Sequence, residues 1–263
     1  MPEHTSFLHY LLYQIDTLRE GAHTLPHSLQ GHHLGYKGTE AFFMAALVMA
    51  VILYLAFTVR GAYTRLKEST IPEDELTTRT FFEIFFEYFY NLATDVMGPK
   101  SAKRYFPLIG ASAIFIFFSN VSAMIPGMLP PTANLNITAG CALLVFIAFN
   151  YYGIKENGIN YFKHMAGWGV FKQTWANVLL AILVFPIETI SLCVRPVTLS
   201  IRLMLNMAVD HLLVSIFMGL FAILLPLPVM LLGCIVIAVQ TLVFCLLTSI
   251  YIGLATEHAE ESH

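Results

Sequence analysis

Residues 175–225 read WANVLLAILVFPIETISLCVRPVTLSIRLMLNMAVDHLLVSIFMGLFAILL, an apolar run of about 50 residues interrupted by a few charges. As one helix it spans about 75 Å at 1.5 Å per residue, against a bilayer core about 30 Å thick. It therefore makes two crossings, a re-entrant hairpin, or one steeply inclined helix. Arg202 lies deep inside this run. A charge at membrane depth costs roughly 2.5–3.5 kcal/mol on insertion scales, so it is rarely kept without a use. A guanidinium cannot shed its proton to escape that cost. It needs an anion, and Glu188 lies about 21 Å away along a helix, too far to serve. The anion is expected from another chain.

The polar residues of the run fall at Glu188, Ser191, Arg195, Thr198, Arg202 and Asn206. Steps of three and four put them on one helical face, bent by Pro186 and Pro196. Asp210 falls off this stripe, and His211 points to the opposite side. In the last apolar run Gly233, Gln240 and Tyr251 share a face, with Thr248 near its edge. Ser191 and Thr198 suit plain helix-to-helix hydrogen bonding as well as a role in transport. Arg195 suits a reach toward lipid headgroups. An imidazole titrates near neutrality, so His211 suits proton relay as well as a buried structural role. Titratable groups leading to a permanent cation point to ion handling. Protons hop through acids, imidazoles and water, whereas an arginine repels a cation and attracts a carboxylate.

Composition agrees. Hydrophobic residues make up 57% of the chain and charged residues 12%, against about 25% charged in soluble domains. The fold class is all-α and polytopic in a membrane. Nothing resembles a basic patch interleaved with aromatics, which argues against nucleic acid. Cys141, Cys193, Cys234 and Cys245 lie in apolar stretches without paired spacing and read as buried hydrophobes. Met1-Pro2-Glu3-His4 lacks a basic start, so no cleavable signal is expected. No cofactor and no metal are expected. No phosphate-binding loop and no nucleophile–base grouping is present, so ATP is not expected to bind this chain.

Along the chain, residues 1–38 are polar and hold six of the ten histidines, a solvated segment rather than a metal site. A first span covers 39–59. Residues 78–97 set Phe81, Phe82, Phe85, Phe86 and Phe89 among Arg79, Glu83, Glu87 and Asp95. That is an amphipathic helix for the membrane interface or for packing on other helices, with the interface favoured. A second span covers 105–126 and a third 135–154, a hairpin turning at Leu129-Pro130-Pro131. The long segment and a final run at 229–255, separated by Pro226 and Pro228, complete the set. Five crossings and one interfacial helix result, in a single membrane domain whose 175–256 hairpin carries the ion path. The short basic loops after span one, before span two and after span three belong on the cytoplasmic side. The N-terminus is then outside and the C-terminus inside.

Thr198-Leu-Ser-Ile-Arg202-Leu-Met-Leu-Asn206-Met-Ala-Val-Asp-His211 resembles the signature of subunit a of F-type ATP synthase. The resemblance extends over most of the chain after residue 38. It includes Asn120-Val-Ser-Ala-Met-Ile-Pro126-Gly127, Pro131-Thr-Ala-Asn134-Leu-Asn136-Ile-Thr138, Gly153-Ile-Lys155, Tyr161-Phe-Lys163-His164 and the terminal stretch from Gln240 to Tyr251. It implies the stationary half of a rotary ion motor. The family's arginine falls on Arg202, its asparagine on Asn206, its entry-path glutamate on Glu188 and its last-helix glutamine on Gln240. An ionisable position falls on His211, and its variable companion on Gly233, which has no side chain. Asp210 stands where a small residue is usual. The last two helices are implied to lie strongly inclined against a ring of c subunits, with two offset aqueous half-channels. Protons enter one, ride the ring and leave by the other, while Arg202 separates the two and helps the arriving carboxyl release its proton. The implied partners are the c-ring, the peripheral-stalk b subunits and the rest of the complex. The implied location is an energy-coupling membrane such as the bacterial inner membrane. The ion is H+, with Na+ an alternative decided mainly in the ring.

Two other classes of function stand beside this one. A self-contained secondary transporter would show repeated halves around a midplane site, and no convincing repeat is present. A structural scaffold would leave Glu188 and Arg202 as costly adhesion.

Overall fold

The structure, a computed structural model, describes residues 36–63, 77–125, 128–158, 174–220 and 226–256. The histidine-rich segment before residue 36, the basic residues Arg65, Lys67, Lys163 and Lys172, Pro126 and Gly127, and the acidic tail lie outside them. The described residues form five long helices and no strand: α1 (Tyr36–Tyr63), α2 (Thr78–Val121), α3 (Leu135–Asn157), α4 (Thr174–Leu220) and α5 (Pro226–Thr256). Each is long and apolar enough to cross a membrane.

α2 is two limbs. Gly98 has φ +78°, a conformation open to glycine and costly for other residues. Pro99 then starts the second limb, where its missing N–H leaves no helical bond unmade. The limbs 78–97 and 99–121 fold back on each other. Phe85 lies 5.3 Å from Phe117, Phe82 6.3 Å from Phe118, and Tyr90 5.2 Å from Phe106, ring centre to ring centre. A side chain at Gly110 would come within 3.2 Å of the Phe86 ring, so the small residue sets how closely the limbs approach. The aromatic face of 78–97, suited to the interface or to other helices, thus finds protein on the second span.

The turn between α2 and α3 is held from inside. Buried Thr132 donates its hydroxyl to Asn120 Oδ1 at 2.8 Å, joining two of the quoted motifs. The Asn134 side chain accepts from the Asn136 N–H at 2.9 Å and caps α3.

α4 is a single helix of 47 residues despite Pro186 and Pro196. Of the arrangements open to the 175–225 run, a single continuous helix is the one adopted over Thr174–Leu220. Its apolar window of 36 residues, Ile182–Phe217, is about 54 Å long and fits a core about 30 Å thick only when steeply inclined. α4 packs on α3 and α5, and Leu199 and Leu203 join Ile116, Val145 and Phe244 in a core. A second core gathers Phe89, Tyr105, Ile109, Phe149, Cys245 and Ile252.

One end of the bundle is tied by polar groups. Arg104 pairs with Glu156, Tyr105 donates to the same carboxylate, and Asn157 donates to the Ala255 carbonyl at 2.8 Å. The start of the second limb, the end of α3 and the end of α5 therefore lie together.

Candidate functional site

α4 has three faces along its length. Leu199, Leu203 and Met207 are buried, at 2%, 0% and 0% exposure. Val194, Val197, Ile201, Leu205, Val209, Leu212 and Ile216 form an exposed apolar face. The polar stripe runs along the seam between them.

Arg202 sits on this seam, exposed, and no acid among the described residues pairs with it. Thr198, one turn before it, and Ser191, about three turns before it, are exposed on the same stripe, and Thr198 donates to the Arg195 carbonyl at 2.9 Å. One turn on from Arg202, Asn206 Nδ2 donates to Gln240 Oε1 of α5 at 2.5 Å. Gln240 is buried, so this bond is shielded from competing partners. It fixes the register of α4 on α5 beside the guanidinium.

Toward the tied end, Arg195 does not reach outward as its sequence context suggests. Its Nη2 lies 3.8 Å from Glu188 Oε1, and its guanidinium stands 5.1 Å from the Tyr251 ring centre. The 3.8 Å separation is an ion pair without a hydrogen bond. The Tyr251 face supplies a second attraction for the cation. Tyr251 could have been found from the shared face with Gln240; its contact with Arg195 could not.

Toward the other end, Asp210 and His211 line one cleft with Met124, Met230, Gly233 and Ile237. It holds about 30 Å³, room for a water or two. Asp210 Oδ2 is buried without a hydrogen-bond partner among the described residues. A side chain at Gly233 would meet nothing within 4 Å.

The contacts run antiparallel along α4 and α5: Arg195 with Tyr251, Asn206 with Gln240, then Asp210 and His211 with Gly233. From Gly233 to Tyr251 is about 27 Å along the axis, close to the thickness of a bilayer core. The predicted site residues thus form two ionisable groups near opposite ends, with Arg202 between them. Among the described residues no cluster of histidine, cysteine and acid suits a metal ion.

The family model described as ATP synthase A chain matches residues 42–253. Several relatives bear the name ATP synthase subunit a. The one from Sorangium cellulosum (strain So ce56) is 63% identical over 261 residues, covering 99% of each chain. That from Sulfurihydrogenibium sp. (strain YO3AOP1) is 40% identical over 221 residues, 84% of this chain and 99% of its own. That from Geobacter sulfurreducens is 37% identical over 231 residues, 88% of this chain and 93% of its own.

Proposed function

The chain belongs to the ATP synthase A chain family, and on that premise we propose that it is the stationary half of a rotary proton motor. It is a multi-pass membrane subunit of F-type ATP synthase. In our reading the exposed apolar face of α4 meets the c-ring, and b subunits of the peripheral stalk hold the chain still. Glu188, with Arg195 and Tyr251, lies on one aqueous half-channel. Asp210 and His211 lie on the other. Arg202 stands between them and answers each ring carboxylate as it passes. A proton cannot hop through a guanidinium, so the two cavities communicate only by way of the ring. Asn206 and Gln240 hold the helix that carries Arg202, while Ser191 and Thr198 line its exposed flank.

The observation that carries this reading is the lone, exposed guanidinium of Arg202 in a membrane-spanning helix. A fixed charge in lipid without a paired anion among the described residues calls for one from a neighbour. The tied end bears Arg104 and Lys155, which supports placing it at the cytoplasmic side of a bacterial inner membrane. The C-terminus is then cytoplasmic. The groups along the path, a glutamate, an aspartate and a histidine, can pass H+, and the choice between H+ and Na+ lies mainly in the ring. ATP turnover belongs to other subunits.

A crosslink tests the c-ring contact. In the assembled complex, with the exposed cysteines Cys193 and Cys234 replaced, Leu205→Cys on the exposed face is expected to join a cysteine beside the mid-membrane carboxylate of the ring subunit. Leu203→Cys, on the buried face, is expected not to. Absence of any ring adduct from Leu205→Cys and from Ile201→Cys would contradict the proposal.

A further inference from the structure

Sulfur gathers at one place in the bundle. Met207 and His211, one turn apart on α4, line the cleft between α4 and α5. Met230 lines it from α5, and Cys234 stands one turn further on, next to the lining residue Gly233. Met124, in the short turn Ser122–Met124 that follows α2, lines it from a third element. The Cys234 thiol donates to the Met124 thioether, with Sγ 3.4 Å from Sδ. Cys234 is exposed, so the thiol is open to an arriving ion.

Methionine commonly fills irregular gaps in a core. Here a gap remains: the cleft keeps a volume of about 30 Å³, above the minimum for one water-sized occupant. The donors around it are of one kind. Thioethers and thiolates are soft ligands and select Cu(I), while carboxylates, carbonyls and water suit the hard cations. Most of the set is thioether, so no cluster of histidine, cysteine and acid marks it among the described residues. The geometry is close to what one ion needs. Two sulfurs bound to a metal at about 2.3 Å each, at a tetrahedral angle, lie about 3.8 Å apart. The Cys234–Met124 pair reaches that by parting a few tenths of an ångström. Charge favours a monovalent ion as well. A thiol releases its proton when it takes a metal, so Cu(I) replaces one positive charge with another. A divalent ion would leave an added charge at membrane depth, at a cost of roughly 2.5–3.5 kcal/mol on insertion scales.

We propose that this cleft is a binding site for a soft monovalent metal ion, Cu(I), which plugs it and inhibits the protein. Cys234 is the thiolate ligand, and Met124 and Met230 are thioether ligands. Met207 and His211 complete the wall from α4. On binding, the Cys234 S–H bond breaks, a Cu–S bond forms, and the proton leaves to water. Copper stays in the +1 state throughout, so no oxidant or reductant is consumed. The ion is an inhibitor and not a resident cofactor. The site stands on the sulfur cluster alone; its inhibitory effect rests on the proton-motor reading, which puts this cleft on a half-channel.

The test uses the purified whole complex, without oxygen, and Cu(I) held in competition with the chelator bicinchoninate. Wild-type complex is expected to hold one more tight Cu(I) than complex carrying Cys234→Ser with Met124→Leu. Met230→Leu, which nearly conserves volume, is expected to weaken that ion by at least tenfold, since even groups behind the ligands contribute roughly 10–100-fold to metal affinity. Cys193→Ser, which removes the exposed cysteine of α4 away from the cleft, is expected to change nothing. X-ray absorption of the bound copper should show two or three sulfur neighbours near about 2.3 Å. Equal Cu(I) content in wild-type and double-variant complex, both assembled, would overturn the site. So would a shell of nitrogen and oxygen alone. Proton-driven ATP synthesis in proteoliposomes forms the second arm. One equivalent of Cu(I) is expected to stop most of it in the wild type and to spare the double variant. Sulfur-bound Cu(I) with undiminished synthesis would overturn the inhibition, and the fault would then lie in placing the cleft on a half-channel, not in the metal site.

Discussion

Arg202→Ala is expected to reduce proton-driven ATP synthesis by two to three orders of magnitude while the chain still inserts and assembles. Removing one partner of a desolvated ion pair costs about 3–5 kcal/mol, and each 1.4 kcal/mol is about a factor of ten. The pair in question lies between chains. Within its own chain Arg202 makes no ion pair among the described residues, so its loss breaks no ion pair there. It also relieves an insertion cost of roughly 2.5–3.5 kcal/mol. Function and stability should therefore separate. Immunoblots of purified complex report assembly, and synthesis driven by an imposed proton gradient reports coupling. Passive proton leak should rise, because the barrier between the two cavities is gone. Arg202→Lys should not restore coupling. A lysine can lose its proton in a dry site and cannot present a planar fork to a carboxylate. Normal coupled synthesis in the alanine variant would refute the assigned role.

The second large effect concerns the two ends of the path. Glu188→Gln closes one half-channel, and Asp210→Asn together with His211→Asn closes the other. The half-channels act in series, so their resistances add. Suppose each change slows its own channel about a hundredfold, the low end of what a positioned acid or base contributes. With equal channels to begin with, either change alone slows flux about 50-fold. Both together slow it about 100-fold, not the roughly 2,500-fold that independent steps would multiply to. Flux measured in proteoliposomes decides between these patterns. Unchanged flux in the triple substitution would instead favour a scaffold.

The sequence carried the fold far because apolar length and periodicity are local properties. The expected first span at 39–59 lies within Tyr36–Tyr63, and the third at 135–154 within Leu135–Asn157. The run at 175–225 was ambiguous for a physical reason: hydropathy counts residues but gives no direction. Only the unbroken backbone through Pro186 and Pro196 selects one continuous helix. The stripe from Glu188 to Asn206 was equally legible, since spacing of three and four fixes a face. What periodicity cannot supply is register between helices. Asn206 meeting Gln240, Arg195 resting on Tyr251, and Asp210 sharing a cleft with Gly233 all depend on how α4 slides along α5. The aromatic residues of 78–97 were visible as a face, but their partners on 99–121 follow from a turn at Gly98. The pairing of Arg195 with Glu188 is not legible in the sequence, where the arginine suits a reach toward lipid headgroups.

A density map of the whole complex in lipid, at a resolution that shows waters, addresses the central claim directly. The expected map has the Arg202 guanidinium within direct or single-water reach of a carboxylate on the adjacent ring. Water-filled cavities should approach it from the Glu188 side and from the Asp210 side without joining. A guanidinium turned into the headgroups, or bound to an acid of its own chain, would contradict the account.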